Sequence, residues 1–236
     1  VTAAALALTL ALAPWPCAGR QSLSALALPR LDWPRQNGRK GKSMASPIEV
    51  LDFWLGQIGP EGWYAGTAEI DAQCLDFLPV WQAARGGGLD HWIDGPAATL
   101  AYLILTDQLP RNMFRGQADS FATDPLARSA ARRAVTEGWD MNAPEPDRQF
   151  FYMPFEHSED LQDQDLAVDL METRLSSDPE MALHARVHRD IIARFGRFPS
   201  RNAALGRANT AEEAAFLAEG GYAAAIAARR TAEART

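Results

Sequence analysis

Cysteine is scarce in this sequence, and the count limits the kinds of site that the chain can build. The 236 residues include two cysteines, Cys17 near the N-terminus and Cys74 in the body. No disulfide framework and no cysteine-based metal site follow from such a count. Cys74 shares a helical face with Phe77 and Trp81, so we expect its thiol to be a small buried hydrophobic group.

Lysine is absent from residues 44–236, and acidic residues outnumber arginines in that part of the chain. The chain has a net charge of −7, of which residues 1–43 carry +5 and the remainder about −12. Nonspecific nucleic-acid binding and adsorption to anionic lipid both require a basic face. We therefore expect no nucleic-acid partner.

Long apolar runs are also missing. Residues 1–13 are rich in Ala and Leu, but a bilayer-spanning helix requires roughly 20 apolar residues, so we expect no integral membrane association. No positive charge precedes this run, as it would in a signal peptide. We expect residues 1–43 to be a disordered extension or a leader from an upstream start, and the protein to be cytoplasmic. A true signal peptide in residues 1–20 would instead make the protein exported.

From Met44 onward almost every segment carries the signals of an α-helix, and no segment carries those of a β-hairpin. N-cap signals occur at Ser46-Pro47, Thr67, Asp124-Pro125, Ser158, Asp178-Pro179 and Thr210. Because proline lacks a backbone N–H, Pro79 should kink or divide the second helix. The apolar helix that opens at Pro96 should run from Ala97 to Asp107 and end near Pro110. We predict an all-α domain over residues 44–221 with roughly eight to ten helices. An Ala-rich C-terminal helix or tail follows over residues 222–236.

Three segments combine aromatic residues, a helix-ending Pro or Gly, and closely spaced charges. They are Asp107-Gln-Leu-Pro-Arg-Asn112, Phe151-Tyr-Met-Pro-Phe-Glu-His-Ser-Glu-Asp160 and Arg194-Phe-Gly-Arg-Phe-Pro-Ser-Arg-Asn202. A generic helical core needs no such combination, and polar loops on a rigid scaffold are where function concentrates. We therefore expect the three segments to form one polar site at helix ends.

The same segments carry a resemblance to a known family. Residues 47 to about 220 resemble the bacterial domain-of-unknown-function family 924. The opening Val50-Leu-Asp-Phe-Trp54 looks like the family's start, and the three segments look like its signatures. The resemblance implies a tetratricopeptide-like α-α superhelical array in one domain that starts near Met44, and no established activity. Ser200 stands where the third signature usually has His, which puts any mechanism that needs that imidazole in question.

The second segment offers candidate catalytic residues. His157 is a candidate general base that a carboxylate orients, and Glu156 is a candidate acid–base partner. Candidate metal ligands are His157, Glu159 and His188, but no metal and no cofactor is favoured, and a packed, hydrogen-bonded His188 is the preferred interpretation. The alternative is structural, with Ser158 as a helix cap and Glu159 as a complement to the helix dipole.

The three segments together also offer candidate ligand-binding residues. Arginine binds carboxylates and phosphates in a fork geometry and stays charged when partly buried. The candidates are Asp107, Arg111, Asn112, Glu159, Arg197, Arg201 and Asn202. The alternative is an ion-pair network that locks helix ends together.

Three functional hypotheses follow. The first is a binding module for an anionic small molecule or an acidic peptide group. The second is a hydrolase-type enzyme that uses His157 and Glu156; since no Gly-x-Ser-x-Gly elbow and no glycine-rich phosphate loop occurs, such an enzyme would have no serine nucleophile of that kind. In the third, the motifs are purely structural and a protein partner binds elsewhere on the helical surface.

Overall fold

The computed structural model of the protein describes residues 44–235, and within them the secondary structure is helical, without a β-strand. This confirms the all-α prediction. The predictions for residues 1–43 lie outside the described residues. The α-helices are α1 (Pro47–Leu51), α2 (Gly59–Gly62), α3 (Ala68–Cys74), α4 (Leu78–Arg85), α5 (Pro96–Leu103), α6 (Leu109–Met113), α7 (Asp124–Thr136), α8 (Met153–Glu156), α9 (Leu161–Arg174), α10 (Pro179–Phe195), α11 (Ala211–Ala218) and α12 (Gly221–Glu233).

Several α-helices continue into one another through segments of different pitch. A π-helical segment, Asp52–Ile58, joins α1 to α2, and another, Ile104–Gln108, joins α5 to α6. A 3-10 turn, Leu75–Phe77, separates α3 from α4 just before Pro79, which divides that helix as predicted. The described residues therefore form nine continuous helical bodies, within the predicted range. The tetratricopeptide-like arrangement stays a prediction.

Pro110 does not end its helix, and that prediction was wrong. Proline cannot donate to the carbonyl four residues earlier, and its ring crowds that carbonyl. The π-helical segment directly before α6 changes the hydrogen-bond spacing at this point. The carbonyl of Thr106, four residues before Pro110, accepts a hydrogen bond of 2.6 Å from Thr123 Oγ1. A tertiary contact therefore supports the helix at the point where proline would interrupt it.

Four of the predicted N-caps are confirmed and two are wrong. The side chains of Ser46, Thr67, Asp178 and Thr210 accept from the first turns of their helices, as predicted. The helix α7 begins at Asp124 itself, after Thr123, and has no side-chain cap. The helix α9 is capped by Asp160 and not by Ser158. Both mispredicted side chains bind charged partners instead, and one of them belongs to the site described below.

The buried apolar residues form two clusters. The larger one contains the aromatic side chains of the Asp52–Ile58 segment, α5 and α8 and includes Cys74, which is fully buried as predicted. Burial raises the pKa of the Cys74 thiol to about 12, so the thiol stays protonated. The smaller cluster consists of Leu183, Val187, Ile191, Ile192, Phe198 and Ile226 and joins α10 to α12. The polar site lies where the two clusters meet.

None of the helices in residues 44–235 combines the length and the apolar character that crossing a bilayer requires.

The buried hydroxyl of Thr123 connects three elements and gives a test of this architecture. Thr123 Oγ1 accepts from Trp81 Nε1 at 3.0 Å and donates to the Thr106 carbonyl. Substituting Thr123→Val leaves both buried groups unpaired, so we expect the free energy of unfolding to fall by about 2–4 kcal/mol in denaturant titrations. The matched control is Thr136→Val, whose exposed hydroxyl bonds a carbonyl of its own helix. An equal effect of the two substitutions would contradict the assigned role.

Candidate functional site

Asp107 lies at the centre of the polar site. It belongs to the π-helical segment before α6, and its carboxylate is 1% exposed. His157 Nδ1 lies 2.9 Å from both carboxylate oxygens, Gln108 Nε2 donates at 2.6 Å and Arg111 donates at 3.1 Å. Burial opposes ionisation of Asp107, but the charges of His157 and Arg111 outweigh it and lower the pKa to about 2. The carboxylate is therefore ionised at neutral pH, and His157 Nδ1 carries a hydrogen.

Asp124 belongs to the site although its sequence context predicted a helix cap. Its two carboxylate oxygens accept from Arg111 at 3.0 Å and from Arg201 at 3.3 Å. Burial, with some help from Asp107, raises the pKa of Asp124, while the two guanidinium groups oppose that change. Arg111 also donates to the carbonyl of Ser120 at 2.9 Å. An Asp-Pro pair is so typical of a helix start that the sequence carried no separate signal for this role.

Arg201 brings the third segment to the site. It ends the 3-10 turn Pro199–Arg201, and its guanidinium lies 4.6 Å from the ring centroid of Phe121 and 4.5 Å from that of Phe198. It also donates to the carbonyl of His157 at 2.9 Å. Burial and then the charge of Arg111 lower the pKa of Arg201 to about 10. The group stays cationic at neutral pH and contacts the faces of two aromatic rings.

Glu156 ends α8, and its carboxylate is fully buried. One of its oxygens lies 2.7 Å from His188 Nδ1. The same nitrogen lies 2.9 Å from the carbonyl oxygen of His184, so its hydrogen faces two acceptors. Among the described residues no group donates a hydrogen bond to either oxygen of Glu156. Burial raises the pKa of Glu156, but the charge of His188 outweighs it and the net direction is downward.

Tyr222 links the two histidines of α10. Its hydroxyl lies 2.5 Å from His184 Nδ1 and 3.4 Å from His188 Nδ1. Burial lowers the pKa of His184 to about 4, so that ring is neutral at neutral pH. The ring of His188 also packs edge-on against Phe198, with centroids 5.5 Å apart. No sequence pattern pointed to Tyr222, because it lies in the Ala-rich stretch expected to be a simple helix or tail.

Arg197 and Asn202 lie in a separate network at the start of α11. Arg197 donates to both carboxylate oxygens of Glu213, at 2.6 and 2.8 Å, and Asn202 donates to one of them at 3.3 Å. The hydrogen bond from Arg197 and the backbone N–H of Thr210 lower the pKa of Glu213 to about 2. The structure thus gives these two predicted ligand-binding residues an internal carboxylate partner.

Glu159 and Asn112 also have protein partners. Glu159 accepts from Arg207 at 2.7 and 2.9 Å and from the backbone N–H of Phe198 at 2.8 Å. Asn112 accepts from Arg115 at 3.1 Å, outside the Asp107 cluster. Of the predicted site residues, the structure brings Asp107, Arg111, Glu156, His157 and Arg201 together.

Two comparisons place the chain among known proteins. Residues 50–221 match the model of a family described as bacterial protein of unknown function (DUF924). The chain belongs to this family. It is also similar to a solved structure, that of a protein of unknown function, ATU0120, from Agrobacterium tumefaciens. The two chains are 42% identical with a TM-score of 0.69, over 73% of this chain and 97% of that chain. No curated protein gives a significant match.

The DUF924 region ends one residue before Tyr222, so the hydroxyl that contacts His184 and His188 lies just outside it.

The candidate metal ligands His157, Glu159 and His188 all lie within the DUF924 region. The ring centroids of His157 and His188 are 6.3 Å apart, and Glu159 is paired with Arg207. In residues 44–235 no three His, Cys, Asp or Glu side chains are grouped so as to hold a metal ion.

The buried Asp107 carboxylate predicts a pH-dependent stability in this DUF924 protein. Its pKa is about 4 in an unfolded chain and about 2 in the fold. The stabilisation is therefore complete above about pH 4 and is lost as the pH falls to about 2. Relative to Asp107→Asn, we expect the wild type to lose on the order of 2–3 kcal/mol over this range in denaturant titrations.

The control for this prediction is Asp119→Asn, because Asp119 pairs with Arg85 at the surface and both side chains are about half exposed. Its difference from the wild type should stay below about 1 kcal/mol at every pH. A difference between wild type and Asp107→Asn that does not change below about pH 4 would contradict the assigned ionisation.

Proposed function

We propose that the protein is an acid–base enzyme, a hydrolase that acts on a small substrate with an anionic group, and that His157 moves the proton. The observation that carries the proposal is the way in which the ring of His157 is held. Both oxygens of Asp107 face Nδ1 at 2.9 Å, whereas no group among the described residues hydrogen-bonds Nε2, and the ring keeps 11% of its surface exposed. An imidazole oriented by a carboxylate with its other nitrogen free is suited to general acid–base catalysis.

The positions of the hydrogens in the Asp107–His157 pair support this role. Because Asp107 is ionised, Nδ1 of neutral His157 carries the hydrogen and Nε2 presents a lone pair. Nε2 can then take a proton from water while that water attacks the substrate. The imidazolium that results is stabilised by the buried carboxylate, and Arg111 and Gln108 hold that carboxylate in place. No serine or cysteine nucleophile is needed.

The expected anion-binding role is best supported at Arg201. The guanidinium of Arg111 is engaged by Asp107, Asp124 and a backbone carbonyl, and that of Arg197 is engaged by Glu213. Arg201 has one carboxylate contact, at 3.3 Å, and its side chain is 12% exposed. Within residues 44–235 its Nε makes no hydrogen bond. An anionic group of the substrate can therefore bind Arg201 beside His157 without breaking a short ion pair.

Hydrolysis assays on His157→Gln test the catalytic role. A panel of p-nitrophenyl carboxylate and phosphate esters is to be assayed with the wild type, His157→Gln and the control His91→Gln, whose ring lies on the exposed 3-10 turn Asp90–Trp92. We expect kcat to fall about 100-fold or more in His157→Gln and to stay unchanged in the control. Equal rates for wild type and His157→Gln on every ester would contradict the proposal.

Thermal melts with simple anions test the role of Arg201. We expect phosphate or acetate at ten times its Kd to raise the Tm of the wild type by about 3 °C and to leave Arg201→Gln unshifted. Arg194→Gln is the matched control, because Arg194 is 53% exposed and pairs with an exposed glutamate; its shift should equal that of the wild type. An anion-induced shift that survives in Arg201→Gln would place the anion elsewhere.

A further inference from the structure

The site contains a second imidazole that is held like the first. His188 Nδ1 lies 2.9 Å from the carbonyl oxygen of His184. A carbonyl oxygen only accepts, so this nitrogen of His188 carries the hydrogen. Among the described residues nothing hydrogen-bonds Nε2, and the ring is 15% exposed. Both His157 and His188 therefore carry a hydrogen on Nδ1 and leave Nε2 free.

Three oxygens face the Nδ1–H of His188 from three elements. They are the carbonyl of His184 on α10, the Glu156 carboxylate at 2.7 Å from α8, and the Tyr222 hydroxyl at 3.4 Å from α12. The Tyr222 hydroxyl lies between the two rings, 2.5 Å from Nδ1 of the neutral His184 ring and 3.4 Å from His188 Nδ1. The orientation of the His188 ring is thus set by polar contacts from three elements as well as by packing.

The Glu156 carboxylate lies against His188 inside the fold. It is fully buried, and one of its oxygens is 2.7 Å from His188 Nδ1. A buried carboxylate needs a nearby positive charge to offset the loss of hydration, and the protonated form of His188 supplies it here. The carboxylate in turn stabilises that imidazole when it carries a positive charge for part of a reaction cycle.

We propose that His188 is a second proton-transfer residue of this site, with Glu156 and Tyr222 as its positioning residues. The proposal rests on the proposed function and adds the partner that donates the proton. The ring centroids of His157 and His188 lie 6.3 Å apart, so the two imidazoles are neighbours in one site. Tyr222 belongs to α12, so α12 contributes to the unit around His188.

The two imidazoles complete a balanced hydrolysis. His157 Nε2 takes a proton from water as the water oxygen bonds to the ester carbon or phosphorus. His188, in its protonated form, gives the proton on its Nε2 to the leaving oxygen as the bond to that oxygen breaks. The pair holds the same number of protons before and after, with their positions exchanged, and solvent restores the starting state. Substrates whose leaving group needs protonation are therefore the class that requires both residues.

The leaving-group dependence of hydrolysis tests this assignment. The acyl or phosphoryl group that the enzyme hydrolyses in the p-nitrophenyl panel is assayed again as its phenyl ester. Phenolate is a more basic leaving group than p-nitrophenolate and therefore benefits more from a proton. We expect His188→Gln to slow the phenyl ester about 100-fold and the p-nitrophenyl ester less than about threefold. Tyr222→Phe and Glu156→Gln should give the same pattern with losses of about tenfold. His157→Gln should slow both esters equally.

A purely structural role for His188 would slow both esters by the same factor, and that result would overturn the proposal while leaving the role of His157 intact. Loss of activity in Glu156→Gln through misfolding is recognised by its melting curve, and Tyr222→Phe, a conservative change at the half-buried end of α12, then carries the test. Failure of the wild type on every p-nitrophenyl ester would instead count against the proposed function.

A second measurement needs no substrate. Long-range 1H–15N correlation spectra of the full chain, labelled at histidine and recorded at about pH 8.5 where histidine is ordinarily neutral, report which ring nitrogen carries the hydrogen. We expect the Nδ1–H form for both His157 and His188. Relative to the wild type, Glu156→Gln should move the Nδ1–H proton signal of His188 upfield and leave that of His157 unchanged. Asp107→Asn should move the Nδ1–H proton signal of His157 upfield and leave that of His188 unchanged. An Nε2–H form of His188 in the wild type would overturn the proposal.

Discussion

The buried carboxylate of Asp107 is the constraint on which the rest of the site depends. A carboxylate that is 1% exposed persists as an anion only if several donors surround it. Its donors come from its own helical body, through Gln108 and Arg111, and from the second segment, through His157. Arg111 also donates to Asp124, and Asp124 accepts from Arg201 of the third segment. Three distant stretches of sequence are thereby held together by one charge.

Local signals in the sequence sufficed for the helices and for part of the site. Ser46, Thr67, Asp178 and Thr210 were recognisable as caps because capping involves a side chain and a backbone N–H only two or three residues away. The helix end predicted at Pro110 and the cap predicted at Asp124 were wrong, because the environments of both residues are set by residues distant in sequence. The carbonyl of Thr106, four residues before Pro110, accepts from Thr123, and the Asp124 carboxylate accepts from two arginines.

The pairing of histidines with carboxylates shows the same limit inside one motif. Glu156 and His157 are adjacent in sequence and therefore look like partners, but consecutive residues at a helix end point in different directions. The structure turns Glu156 toward His188 and His157 toward Asp107. Sequence could propose the residue types and the segments, while the assignment of each carboxylate to its imidazole depends on how α6, α8 and α10 pack.

The distribution of satisfied and unsatisfied polar groups favours proton transfer over simple anion binding. Most guanidinium groups of the three segments already have a carboxylate partner, and a ligand would have to compete with those pairs. The imidazoles differ, because each is fixed at Nδ1 and open at Nε2. A site meant only to hold an anion would leave its cations free and would gain nothing from a fully buried, donor-free Glu156 behind His188. An acid–base site needs that negative charge, since it stabilises the imidazolium that forms during turnover.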